Sequence, residues 1–145
     1  MTVIRLQNPN ALVSPEFRAF LKRSVKREAL LGEDDLLGVL HSGMSSPNFA
    51  ALVGVEGGAF KALTLVTLPS QPAQPQPYVQ HFYNEGTAAL RDALLEAMVD
   101  FIVQGGYTKF LAVNLADRDF KAWAKTFQKA GKSTELGRLV EFEVG

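Results

Sequence analysis

The first residues, Thr2 to Leu6, alternate polar and apolar side chains and predict a strand. Ser14-Pro15-Glu16 then combines a capping hydroxyl with proline at a first helical position, so a helix is expected from Pro15 to about Leu31, ended by Gly32. Its apolar positions Phe17, Phe20, Leu21 and Val25 interleave with Arg18, Lys22, Arg23, Lys26 and Arg27, which puts the basic run on a solvated face. EDDLLGVLHSGM, 33–44, predicts a shorter helix with acidic residues in its first turn, as the helix dipole favours. Ser45-Ser46-Pro47-Asn48 breaks the pattern. FAALVGVEGGAFKALTLVTLP, 49–69, predicts two apolar strands joined at Glu56-Gly57-Gly58.

Between Pro69 and Pro77 four of nine residues are proline, which excludes a helix or a central strand and predicts an extended, partly polyproline loop. YVQHFYN, 78–84, reads as a strand. TAALRDALLEAMVDFIVQ, 87–104, reads as a long helix with Leu90, Leu94, Ala97, Met98 and Phe101 on one stripe, ended by Gly105-Gly106. KFLAVNLA (109–116) predicts a buried strand, DRDFKAWAKTFQKAG (117–131) a helix and GRLVEFEVG (137–145) a last strand. The expected order is β-α-α-β-β-β-α-β-α-β, an α/β (α+β) pattern in a single domain over residues 1–145.

Composition narrows the function classes. Fifteen acidic and fifteen basic residues cancel, so no long-range field recruits nucleic acid or an anionic membrane, and neither is expected as a partner. Without cysteine there is no disulfide framework, thiolate nucleophile or zinc-thiolate site. The start lacks the charged-then-apolar layout of a signal peptide, and no apolar run approaches a membrane span. A cytoplasmic location is expected, with a place in an intracellularly assembled particle as the alternative. Two histidines with no H-E-x-x-H spacing make a metal site poor, and no Gly-x-Ser-x-Gly elbow is present.

Chemistry concentrates around 78–101. The turn Asn84-Glu85-Gly86 leads into a helix start, where backbone N–H groups attract anions. Gly86 suits either the approach of a phosphate or the turn itself. Strand alternation puts Val79, His81 and Tyr83 on one face and Tyr78, Gln80 and Phe82 on the other. His81 is the candidate base, since its neutral form is available near pH 7. Glu56 is an alternative base that reads more simply as a solvated turn residue. His41 reads as a helix-end cation, and Trp123, Phe120 and Phe127 fall at core-packing spacings.

With these residues in place, the element order resembles that of the GCN5-related N-acetyltransferases (GNAT), over nearly the whole chain. The resemblance implies a mixed central sheet with helices on both faces, and a central strand splayed from its neighbour to admit the pantetheine arm of acetyl-CoA. It also implies a pyrophosphate turn of pattern Gln/Arg-x-x-Gly-x-Gly/Ala. Gly86-Thr87-Ala88 matches the end of that pattern, Tyr83 stands at the Gln/Arg position, Glu85 brings negative charge into the turn, and Arg91 offers compensation. Gln80, Phe82, Tyr83, Glu85, Gly86, Thr87, Ala88 and Arg91 are then the implied cofactor-binding residues. At the family's Tyr-x-x-x-Gly-Phe the chain has Phe127, Gly131 and Lys132, and Phe120 stands where asparagine is frequent. The function implied is transfer of an acetyl group from acetyl-CoA to an amine on a small molecule or protein, with His81 as base. The alternative is a catalytically inactive GNAT-like binding or structural module, for instance in a viral assembly, meeting protein partners through the 69–77 loop.

Overall fold

A computed structural model describes residues 1–28, 32–69, 76–113, 124, 125, 127, 131–136 and 139–144. The strands are β1 (Thr2–Arg5), β2 (Phe49–Glu56), β3 (Ala59–Thr67), β4 (Tyr78–Asn84), β5 (Lys109–Val113), β6 (Gly131–Leu136) and β7 (Leu139–Val144). They form one sheet in the order β1-β2-β3-β4-β5-β7-β6. Among the described residues the complete helices are α1 (Pro15–Glu28), α2 (Glu33–Gly43) and α3 (Ala88–Gln104). A 3-10 turn over Pro9–Val13, capped by the Asn8 side chain, leads into α1.

The sheet is apolar on both faces because both are covered, so β2 reads as a nearly continuous hydrophobic run. On one face Phe17, Phe20 and Leu21 of α1 and Leu36 and Leu40 of α2 pack on Ala51, Val53, Leu63 and Leu65. On the other, Leu90, Leu94, Leu95, Met98 and Ile102 of α3 pack on Ala50, Leu52, Ala62 and Val66. Ala97 and Phe101, expected on the α3 stripe, flank this cluster as partly buried neighbours.

Three expectations are amended or left open. The C-terminal strand has an antiparallel partner, β6, that periodicity missed; GKSTEL carries no apolar alternation, as befits an edge strand with one neighbour. Of the helix expected over 117–131, Ala124, Lys125 and Phe127 are helical, Gly131 opens β6, and the rest lies outside the described residues. So does the middle of the proline-rich loop, 70–75, and with it the expected partner segment; Gln76 at its end donates from Nε2 to Glu141, 2.6 Å.

The sharpest correction concerns β4. Against β3 its register runs Leu63↔Tyr83, Thr64↔Phe82, then Leu65↔Gln80, so His81 is the extra residue of a β-bulge. His81 has φ 67°, the only non-glycine residue with positive φ among the described residues. A left-handed conformation costs such a residue about 1–2 kcal/mol. The bulge inverts the alternation: Val79 and Phe82 face the α3 cluster, whereas Tyr83 faces the α1/α2 cluster. Val79, His81 and Tyr83 therefore do not share a face.

β4 also marks a seam in the sheet. It pairs in parallel with β5 only at Tyr78↔Leu111 and Val79↔Ala112, and from Gln80 to Asn84 it has no β5 partner among the described residues. To one side of this seam lie the antiparallel strands β1–β4, and to the other the antiparallel β5, β7 and β6.

Candidate functional site

The bulge, the end of β4 and the start of α3 follow one another along the seam. The turn is made locally: Asn84 Oδ1 accepts from the Gly86 N–H at 3.0 Å, while Asn84 Nδ2 donates to the Thr87 carbonyl at 3.1 Å. This is an Asx-type turn, in which a side chain stands in for backbone. Thr87 is the N-cap of α3, its Oγ1 accepting from the Leu90 N–H at 3.2 Å. Ala88 follows as the first helical residue.

Glu56 completes the cap. From the end of β2 its carboxylate accepts from the Thr87 N–H at 3.2 Å and from the Thr87 hydroxyl at 2.6 Å. The short O–H···O⁻ contact is charge-assisted, and the helix start favours an anion. Glu56, half-buried at the strand end, thus places an anion at the start of α3. Gly86 sits beneath this contact with no room for a side chain. A Cβ there would lie 2.9 Å from Leu90 Cδ2, 3.1 Å from Glu56 Oε1 and 3.2 Å from Lys61 Cβ.

The other charges of the turn are engaged elsewhere. Glu85 anchors by its N–H to the Lys61 carbonyl at 2.8 Å, and its carboxylate takes a forked contact from Arg23 of α1 at 2.8–3.1 Å. Arg91, one turn into α3, has Nη2 3.4 Å from Asp92 Oδ1. Tyr83 is buried against Phe20, ring centroids 5.8 Å apart. Burial pushes its phenol above the usual range, and the Glu85 carboxylate adds to this against the opposing charges of Arg23 and Arg27. A neutral phenol under the turn carries no charge toward a diphosphate.

Along the seam, Gln80 and Phe82 are half-buried. Phe82 meets Phe127 edge-on at 5.0 Å, and Phe127 packs with Phe110 and Phe142 in an aromatic cluster. Phe127 has no proton to give a leaving group. Phe120 lies outside the described residues, and His41, in the last turn of α2, is exposed. His81 is buried, with Nε2 3.0 Å from Ser24 Oγ on α1. Gln80, Phe82, Gly86, Thr87 and Ala88 therefore follow one strand-to-helix path, whereas the side chains of His81, Tyr83 and Glu85 are directed toward α1.

Sequence reasoning overlooked Ser24, Arg23 and the reach of Glu56. Ser24 had a signal: it is the polar residue seven positions after Phe17 on the apolar stripe of α1. The Glu56–Thr87 pairing had none, since it depends on how far α3 crosses the hairpin.

No family model matches the sequence, and no curated protein matches it either. Solved structures do match in three dimensions. A GNAT-family acetyltransferase from Staphylococcus aureus Mu50 superposes with TM-score 0.73 at 10% identity, covering 99% of each chain. One from Streptococcus pneumoniae gives 0.68 at 17% identity, covering 99% of this chain and 100% of the other. The PaiA N-acetyltransferase of Thermoplasma acidophilum, in complex with coenzyme A, gives 0.69 at 9% identity, covering 99% of each. The chain has the GNAT fold, on a sequence far diverged from these neighbours.

Proposed function

We propose that this chain uses its GNAT fold for acyl transfer: it binds acetyl-CoA or a related acyl-CoA along the β4/β5 seam and acylates an amine on a small molecule or protein. The observation that carries the reading is the end of β4–β5 pairing at Val79↔Ala112, immediately before the bulge at His81. That geometry leaves Gln80 to Phe82 as a strand segment able to hold the pantetheine arm by its backbone, with Gly86, Thr87 and Ala88 at the diphosphate end. The occurrence of coenzyme A in a structural neighbour supports the same reading. When bound, an acyl-CoA supplies a thioester with an electrophilic carbonyl.

The chain's own residues take the remaining tasks. His81 serves as general base for the amine. Gly86 lets the backbone approach the phosphates, since nothing bulkier fits there. Arg91 is one turn away and offers a counter-charge, and Arg23 neutralises Glu85 from the far side. Calorimetric titration with acetyl-CoA tests the reading, with Gly86→Gln as a blocked variant checked for folding by its thermal melt. Micromolar binding that Gly86→Gln abolishes is the expected result. No heat at millimolar acetyl-CoA in folded protein overturns it.

One observation favours a second reading, a non-catalytic module. The Glu56 carboxylate holds the Thr87 N–H and hydroxyl where a diphosphate oxygen would sit. Under the acyltransferase reading that side chain moves aside when cofactor enters; under the second it stays.

A further inference from the structure

We infer that Phe82 sets the size of the acyl group this chain accepts: its ring, set edge-on against Phe127, closes the α3 side of the β4/β5 seam to acyl chains longer than acetyl. This rests on the acyl-CoA reading and names the acyl substrate within it. Phe82 follows the bulge and is paired with Thr64 of β3. It lies beyond Val79↔Ala112, the last pair that β4 makes with β5 among the described residues. From there its ring meets Phe127, with centroids 5.0 Å apart and an interplanar angle of 71°. Phe127 in turn packs on the other half of the sheet, 6.1 Å from Phe110 of β5 and 5.0 Å from Phe142 of β7. Phe110 and Phe142 stack at 5.2 Å. A ring contact therefore bridges the two half-sheets just past the last backbone pair, on the side of the sheet that α3 covers.

The four rings are not equivalent. Phe110, Phe127 and Phe142 are fully buried and hold one another as close-packed core. Phe82 is half-buried at the margin of the same cluster. The bulge places it there, because the extra residue at His81 brings Phe82 onto the face that Val79 also occupies. On the acyl-CoA reading the diphosphate lies at Gly86 to Ala88 and the pantetheine arm follows Phe82 back to Gln80. The thioester end then points at the closed end of the seam, where Val79 and Ala112 are paired. An acetyl group has one carbon beyond its carbonyl. Each further methylene meets paired strands ahead or the Phe82–Phe127 contact on the α3 side, and has to displace a ring from filled space. Phe127 is locked by its neighbours, so Phe82 is the ring that decides.

The test is calorimetric titration of the full chain with acetyl-CoA, butyryl-CoA and coenzyme A itself. A close-fitting apolar site discriminates one methylene by about tenfold or more, so wild type should bind acetyl-CoA at least about tenfold more tightly than butyryl-CoA. Phe82→Ala, shown to be folded by its melt, should bind butyryl-CoA as tightly as acetyl-CoA, with its affinity for coenzyme A near that of wild type. Phe82→Leu keeps an apolar contact but withdraws the ring edge. It should shift the preference the same way by a smaller factor, and it carries the test where Phe82→Ala does not fold. A ring that only packs the core would lower all three affinities together. An unchanged acetyl-to-butyryl ratio in the variants therefore overturns the inference, as does a wild type that binds both acyl-CoAs equally. In either case acetyl-CoA still binds and the acyltransferase reading stands. No binding of any of the three ligands by folded wild type overturns that reading and the inference with it, so the two failures are told apart.

Discussion

Gly86 and Tyr83 show how single residues hold the site in shape. At Gly86 the nearest atoms include Lys61 Cβ, which cannot swing away as a side-chain tip can. Gly86→Ala should therefore cost roughly 1–3 kcal/mol in denaturant unfolding, in the range of overpacking a filled space. Tyr83 adds a pH signature. Its phenol is raised in the folded state, chiefly by burial, so folding favours the protonated form. Stability is whole below the unfolded value near 10.0 and falls as pH rises through the folded one. Tyr83→Phe should soften this alkaline loss, measured as the melting temperature against pH; Tyr78, raised in the same direction by burial, keeps its own share.

At the scale of elements, the contact between the β2 end and the α3 start governs access to the turn. Removing the charge of Glu56 has two opposed effects. Glu56→Gln should lose about 0.3–1 kcal/mol of stability, since the helix start gives up its anion. It should also tighten acetyl-CoA binding about tenfold, because a like charge beside a diphosphate opposes it by an amount of that order. Calorimetry on the two proteins reads both quantities, and equal affinities would remove Glu56 as a competitor. The elements themselves were largely legible. Capping at Ser14-Pro15, the Gly57-Gly58 hairpin and the stripe of α3 all express local backbone rules, and α1, α2, β2, β3 and α3 lie where those rules put them, with the expected end of α1 at 29–31 outside the described residues. β6 was not legible, because an edge strand need not alternate. Nor was the bulge at His81, which is set by register with β3: YVQHFYN alternates just as well without it.

Across the whole molecule, two antiparallel halves of one sheet meet, among the described residues, at two residue pairs. What joins them is the apolar cluster below, where Phe110 of β5 and Phe142 of β7 share a core with Leu90, Leu94 and Met98 of α3. Phe110→Ala should accordingly cost about 3–5 kcal/mol, measured by chemical denaturation. Its amide-exchange signature should be concentrated at the seam, with β2–β3 amides less affected. The general architecture could be inferred from element order because crossover rules limit the arrangements of so short a series. The site's charges could not: Arg23 with Glu85, and Glu56 with Thr87, are 62 and 31 positions apart in the chain.

The Glu56 contact also changes which anions can compete for the turn. A carboxylate held beside the turn by the folded hairpin competes at a fixed local concentration that dilution does not lower. Small free anions such as inorganic phosphate, offering one contact each, face that standing competitor everywhere in solution. A long ligand that is also gripped along β4 brings its diphosphate to the turn at a comparable local concentration. On the acyl-CoA reading, the helix start would respond to the whole cofactor and not to its fragments.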